Sequence, residues 1–133
     1  MNIFVPKEVH PGEKRVALIP EHVAKLVEKG AHITVETGIG QKLNFSDEDC
    51  VKAGASLEAD RSNLLQTADM VLRIRKPALE EIDLLKEGST YVSLLDPFNE
   101  RELMNAFMKK GVSAISMEMI PLISRAQKMD VLS

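Results

Sequence analysis

Short apolar runs alternate with helical patterns along this chain, and no other feature of the sequence constrains the fold as strongly. The apolar runs lie at Ile3–Val5, Ile33–Glu36, Met70–Ile74, Tyr91–Leu95 and Val112–Met117. Between them are stretches in which apolar residues recur at helical spacing. Strands that alternate with helices indicate a parallel sheet covered by helices. The sequence therefore predicts an α/β fold, with a Rossmann-like or flavodoxin-like open parallel sheet flanked by helices.

Capping residues and glycines mark the ends of the predicted helices. Pro20 suits the first turn of one helix, and Gly30 is placed to end it. Asn99, with Glu102 three positions later, resembles a capping box at the start of a helix that Gly111 ends. Further short helices are predicted after Ser46, at Asp60–Gln66 and around Leu79–Leu85.

Composition limits the classes of function that this chain can have. It has 133 residues, of which 44% are hydrophobic and 28% are charged, as expected for one globular domain. The net charge of −3 and the scattered basic residues argue against a nucleic-acid partner. No apolar run approaches the roughly 18 residues of a membrane span, so direct membrane insertion of this segment is not expected. The N-terminus does not resemble a signal peptide, which predicts a cytoplasmic location.

Metal and disulfide chemistry are not expected either. Cys50 is the only cysteine, so an intrachain disulfide and a cysteine-based metal site are both excluded. His10, His22 and His32 are separated along the chain and form no metal-binding motif.

Two arginines follow predicted strands, at the sheet edge where ligands bind in open α/β folds. Arg15 lies in the polar loop after the first strand, and Arg75 lies at the end of the third. A guanidinium there can hold a carboxylate or a phosphate through two parallel hydrogen bonds, although a solvated arginine is the plainer alternative. Arg73 and Arg75 alternate along one strand and would share a face. Two positive charges on one face would repel each other and destabilise the fold unless an anion or a carboxylate lay between them.

The glycine-rich turn that binds dinucleotides, G-x-G-x-x-G, is missing from the chain. Gly38 and Gly40 follow the second strand, but Leu43 stands at the third glycine position. The apolar pair Val131-Leu132 lies almost at the end of the chain and has no cap after it. This ending predicts that the chain is truncated in the middle of its structure. A natural flexible tail is the alternative.

Two stretches of the sequence resemble one known family. The first comprises Ile3–Glu8, Pro11–Ala17 and Pro20, and the second is Ile123–Ser133. Together they resemble the alanine dehydrogenase and pyridine nucleotide transhydrogenase family, and the second stretch resembles its transhydrogenase branch, specifically the NAD(H)-binding alpha subunit. The resemblance implies that residues 1–133 are a truncated N-terminal domain of this type. The Rossmann domain that binds NAD would be absent, and the sheet would be incomplete without the later chain.

This resemblance implies hydride transfer between NADH and NADP, coupled to proton translocation. This piece would shape the nicotinamide side of the NAD(H) cleft. Gln127, Asp130 and Ser133 match positions of a loop that reaches the nicotinamide, and Arg125 is a further cofactor-binding candidate. Leu122 stands where the family has an arginine. No catalytic residue is implied, because hydride passes directly between two nicotinamides.

The resemblance also implies the surroundings of the chain. NAD(H) would be bound mainly by the absent domain, and NADP(H) would be bound on a partner. The expected partners are the NADP(H)-binding and membrane components of transhydrogenase, together with a second copy in a homodimer. The chain would lie on the cytoplasmic face of the inner membrane through its partner subunits. The fragment alone is expected to be inactive.

Three alternatives remain open. The first is a fragment of an alanine-dehydrogenase-like amino-acid oxidoreductase. The pyruvate site of that branch uses an arginine that matches Arg15, a lysine replaced here by Arg75, and a catalytic histidine expected at Asp96. Loss of this histidine removes the general acid/base, so pyruvate amination is not expected. The others are a non-catalytic small binding domain and an inert folded fragment.

Overall fold

Six parallel strands form one open sheet in the computed structural model, which describes residues 1–117. Their order across the sheet is β3-β2-β1-β4-β5-β6, so the chain returns to the middle of the sheet after β3. This is the Rossmann order, whereas the flavodoxin order would be 2-1-3-4-5. The predicted open parallel sheet is therefore confirmed, and its strand order selects the first of the two alternatives. The strands are β1 (Asn2–Val5), β2 (His32–Glu36), β3 (Ser56–Glu58), β4 (Met70–Arg75), β5 (Thr90–Leu94) and β6 (Ser113–Ser116).

The sheet separates two apolar clusters, and successive residues of β1 point into different ones. Phe4 belongs to one cluster, and Ile3 and Val5 belong to the other. Val23 of α1 is fully buried against the second cluster, and Phe107 of α5 is 1% exposed in the first. Helices therefore cover both faces, as right-handed crossovers between parallel strands require. They are α1 (Pro20–Glu28), α2 (Asp47–Lys52), α3 (Arg61–Thr67), α4 (Leu79–Ile82) and α5 (Arg101–Lys110).

Strand β3 was not predicted. It contains only Ser56, Leu57 and Glu58, and Leu57 is 39% exposed. The strand pairs with β2 alone, at one edge of the sheet. The strand buries little apolar surface, so its sequence lacks the alternation of apolar and polar residues from which a strand is predicted.

The start of α5 differs from the prediction, although its end does not. The N-cap is Glu100, and no side chain caps it, so the predicted capping box at Asn99 is wrong. The amide of Asn99 instead donates to the carboxylate of Asp96 at 3.1 Å. Gly111 ends the helix with a φ of 76°, in the left-handed region that favours glycine.

Candidate functional site: a charged rim at the carboxyl ends of the strands

Glu8 closes the crevice between β1 and β4, where the strand order reverses. Its side chain is 3% exposed. One carboxylate oxygen accepts a hydrogen bond from the backbone N–H of Ile74 at 2.8 Å, and the other accepts one from Arg75 at 3.0 Å. Strand β1 pairs with β4 through Ile3 and Phe4, near the start of β4. The pairing ends there, and Glu8 supplies acceptors for the N–H groups at the end of β4.

Glu13 holds the two arginines that the sequence singled out. Arg15 donates to both of its carboxylate oxygens, from Nε at 3.0 Å and from Nη2 at 2.9 Å. Arg75 donates from Nε to the same carboxylate at 2.8 Å. The Glu13 side chain is 4% exposed, whereas those of Arg15 and Arg75 are 59% and 42% exposed. One buried carboxylate thus serves two guanidinium groups that still reach solvent, and the trio keeps a net positive charge.

These contacts shift the ionisation of the groups involved. Hydrogen bonds from the Arg15 guanidinium and backbone, supported by Arg75, hold the pKa of Glu13 well below its usual range despite the opposing effect of burial. The Glu13 carboxylate in turn raises the pKa of Arg15. Glu13 is therefore an anion, and not a proton donor, at neutral pH.

A second group of charges, around Arg61, is partly buried. Its Nη1 donates to Glu36 at 3.0 Å and to the backbone carbonyl of Lys7 at 3.2 Å. Its Nε donates to Glu81 at 3.0 Å. Arg61 therefore connects α3 with the end of β2, with the chain after β1 and with α4.

Arg73 extends this network from β4 to β5. Its side chain is 3% exposed. Nη1 donates to Glu81 at 3.2 Å and to the hydroxyl of Tyr91 at 3.3 Å. Nε lies 3.9 Å from the Glu8 carboxylate and has no hydrogen-bond partner within the part of the chain that the structure describes. Burial raises the pKa of Tyr91 to about 12, although Arg73 opposes the shift.

The sequence indicated that Arg73 and Arg75 require a nearby anion or carboxylate, and the chain supplies its own. Glu81 and Glu8 lie against Arg73, and Glu13 lies against Arg75. Neither Glu8 nor Glu13 was identified from the sequence. Both lie in the polar connection after β1, and their partners at the end of β4 are known only once these strands are neighbours.

Two cavities open at the charged rim that Glu8, Glu13, Arg15 and Arg75 form at the carboxyl ends of the strands. The first has a volume of about 250 Å³ and lies between the chain after β1 and the turn after β2. Its lining includes Lys7, Glu8, Glu13, Arg15, Gly38 and Lys42. The second, also about 250 Å³, is lined by His10, Arg75, Lys76, Leu94 and Asp96. Glu13 thus joins Arg15 and Arg75, but each arginine borders a different cavity.

Asp96 lines the second cavity, together with Arg75 and Lys76. It follows β5 with a φ of 50°, a conformation that is uncommon outside glycine. Its backbone carbonyl accepts hydrogen bonds from the N–H groups of Asn99 and Glu100. This turn holds Asp96 in place at the end of β5.

The cofactor-binding candidates Gln127, Asp130, Ser133 and Arg125 lie outside the described residues, as does Leu122. Within residues 1–117, no helix combines the length and the apolar character needed to cross a bilayer. The same residues contain no group of three His, Cys, Asp or Glu side chains arranged to hold a metal ion.

Comparison with known proteins agrees with the Rossmann order of the sheet and with the motif after β1. Residues 4–133 match the sequence profile of the alanine dehydrogenase/PNT N-terminal domain. The chain belongs to this family. The resemblance noted from the two sequence stretches is therefore confirmed.

Both branches of the family are represented among the similar proteins. The chain is 40% identical over 133 residues to the NAD(P) transhydrogenase subunit alpha of Cereibacter sphaeroides, a match that covers 100% of the chain and 25% of that relative. It is 37% identical over 120 residues to the alanine dehydrogenase of Halomonas elongata, covering 90% of the chain and 32% of the relative.

A solved structure extends the similarity to three dimensions. The crystal structure of transhydrogenase from Sinorhizobium meliloti superimposes with a TM-score of 0.87 at 36% identity, covering 99% of this chain and 39% of that one. The chain thus spans between 25% and 39% of the length of these three relatives.

Proposed function

We propose that this chain is the N-terminal part of the NAD(H)-binding alpha subunit of an NAD(P) transhydrogenase. The observation that carries the proposal is similarity along the whole chain, in sequence and in structure, to proteins of that name. The sequence match covers 100% of the chain and the structural match covers 99%. The reaction is hydride transfer between NADH and NADP, and its coupling to proton translocation takes place in other parts of the enzyme.

The described residues do not fit a dinucleotide at the crevice of their own sheet. Folds with this strand order bind a pyrophosphate there through a glycine-rich turn and a helix N-terminus. Here no such turn follows β1, and the Glu8 carboxylate occupies the crevice. A phosphate would meet a like charge. NAD(H) is therefore held mainly by another domain, and this domain forms one wall of the cleft.

The cofactor-facing residues of this wall are Gln127, Asp130, Ser133 and Arg125. An amide, a carboxylate and a hydroxyl suit hydrogen bonding to the carboxamide and ribose of the nicotinamide end. Hydride transfer between two nicotinamides needs no protein acid or base, so these groups act by orienting the ring and excluding water.

The same proposal gives the chain its partners. NADP(H) is bound on a separate component, and a membrane component moves the proton. The chain acts on the cytoplasmic face of the inner membrane through these partners, and two copies form a homodimer.

Replacing Asp130 tests the proposal in the complete enzyme. In Asp130→Ala, NADH-dependent reduction of NADP is expected to fall through weaker NADH use. Asp83→Ala is the matched control, since Asp83 is exposed on the described surface. Steady-state kinetics equal to those of the parent would remove Asp130 from the cofactor site. Tight NADH binding by the 133-residue chain alone, measured by fluorescence, would contradict the proposal that NAD(H) is held mainly by another domain.

An alanine-dehydrogenase-like oxidoreductase is the second candidate, and the rim is the observation that favours it. Arg15 and Arg75 present partly exposed guanidinium groups that suit a small carboxylate such as pyruvate. Asp96 argues against it, because a carboxylate stands where the branch has its acid/base histidine. Oxidation of NADH that depends on both pyruvate and ammonia would favour this candidate over transhydrogenation.

A further inference from the structure

We infer that the crevice between β1 and β4 is a carboxylate-binding site which the chain fills with its own Glu8. This assignment rests on the geometry of the crevice and does not depend on the proposed hydride transfer. It explains how a sheet with the Rossmann strand order excludes a nucleotide phosphate from the crevice between β1 and β4, where the strand order reverses.

The first two donors of the site are adjacent backbone N–H groups. Those of Ile74 and Arg75 reach the two oxygens of Glu8 at 2.8 and 3.0 Å, one oxygen each. Donors that are fixed by the backbone suit a planar carboxylate and keep their positions when the ligand is absent. The position is shielded from water, because the Glu8 side chain is only 3% exposed.

The third donor is the side chain of Arg73. Its Nε is buried and has no hydrogen-bond partner among residues 1–117, yet it lies 3.9 Å from Oε1 of Glu8. A buried N–H without an acceptor is uncommon. The site therefore offers one more donor than the tethered carboxylate uses, and an untethered carboxylate is free to move towards all three.

Removal of Glu8 defines the ligand that should replace it. The substitution Glu8→Ala deletes a CH₂–COO⁻ fragment, which matches acetate in size and charge. The N–H groups of Ile74 and Arg75 would then lose their acceptor, next to the buried Nε of Arg73, which has none among residues 1–117. Acetate is expected to bind in this space and to stabilise the variant by linkage, because it binds the folded state.

The experiment is thermal unfolding of the full chain in sodium acetate and in sodium chloride of equal ionic strength, at neutral pH. Glu8→Ala is expected to unfold at a lower temperature than the parent. Acetate should raise this temperature saturably by about 3–5 °C relative to chloride. The parent should respond equally to both salts, as should Glu21→Ala, because the Glu21 side chain is 70% exposed. Inorganic phosphate should stabilise Glu8→Ala less than acetate does.

The assignment would be overturned by the absence of an acetate-specific rise in Glu8→Ala, by an equal rise in the parent, or by a larger rise with phosphate than with acetate. If Glu8→Ala does not fold in chloride, its refolding in acetate becomes the measurement. Recovery of the folded signal supports the site, and failure to recover rejects it. Glu8→Gln fills the same space, so it should be destabilised without responding to acetate, and an acetate response in it would also reject the site.

Discussion

Glu13 accepts a hydrogen bond from Nε of Arg75 at 2.8 Å, although 62 residues separate them in the chain. Glu13 lies in the connection after β1, and Arg75 ends β4, the neighbouring strand of the sheet. Their contact holds the connection after β1 against the end of β4, next to the crevice that Glu8 fills. Glu13 lines the first cavity, and Arg75 lines the second.

Glu13→Gln is expected to reduce the acid sensitivity of the protein. The folded state holds the pKa of Glu13 below its usual range, chiefly through the Arg15 hydrogen bonds. A lowered folded pKa contributes stability above the unfolded pKa, about 4.3 for glutamate, and this stability is lost as the pH falls towards the folded value. Urea unfolding at pH 7 and at pH 3 measures the loss. The parent should lose more free energy of unfolding than Glu13→Gln over this interval.

Glu21→Gln is the control for that comparison. Glu21 lies 3.7 Å from Lys25, and both side chains are largely exposed. Exposed pairs of this kind contribute little to stability. Glu21→Gln should therefore keep the acid sensitivity of the parent, and an equal loss in the parent and in Glu13→Gln would contradict the role given to Glu13.

Arg73→Met is expected to destabilise the fold by roughly 3–5 kcal/mol, since it removes the buried cation that lies against Glu8 and Glu81. The double variant Arg73→Met/Glu81→Gln should lose less than the sum of the two single variants, because it removes both partners. Urea unfolding of the three variants and the parent completes this cycle. Lys25→Met is the control, as its side chain is 68% exposed. Strict additivity would show that Arg73 and Glu81 are not coupled, despite their 3.2 Å contact.

The sequence predicted the strands and the faces of the sheet well, because burial on both sides leaves a continuous apolar signal. Ile3 and Val5 pack into one cluster and Phe4 packs into the other, so β1 is apolar throughout. Edge strand β3 could not be predicted, since Leu57 is half-exposed and its neighbours are polar.

The sequence predicted only part of the rim. Arg15 and Arg75 could be singled out because charges at strand ends are visible in the pattern. Glu8 could not, because its N–H donors at Ile74 and Arg75 lie 66 and 67 residues away in the chain. Glu13 was missed although its partner Arg15 is only two residues away, because its other donor, Arg75, is 62 residues away. Such partners follow from strand order, which periodicity alone does not specify.

Gly40→Ala is expected to destabilise the turn after β2 that borders the first cavity. A Cβ at this position would lie 2.4 Å from the backbone carbonyl oxygen of Phe45 and 2.6 Å from its ring. Backbone atoms cannot move aside as a flexible side chain can, so a loss of ~1–3 kcal/mol is expected. Gly12→Ala is the comparison, because a Cβ there has no neighbour within 4 Å and only its φ of 83° opposes alanine. A smaller loss in Gly40→Ala than in Gly12→Ala, measured by urea unfolding, would contradict the packing argument.

Tyr91 is expected to lose its proton about two pH units later in the folded protein than in the unfolded chain. Burial raises its folded pKa to about 12, whereas an unfolded tyrosine titrates near pH 10. Because its folded pKa is raised, Tyr91 contributes stability that is present below pH ~10 and is lost as the pH rises towards ~12. Tyr91 is the only tyrosine and the chain has no tryptophan, so tyrosinate absorbance reports this residue alone. The native chain and the urea-unfolded chain should give separate titration curves, and Tyr91→Phe should show neither the absorbance change nor this part of the alkaline destabilisation. A native curve centred near pH 10, with the far-UV circular dichroism of the fold intact, would show that the hydroxyl is not buried against Arg73.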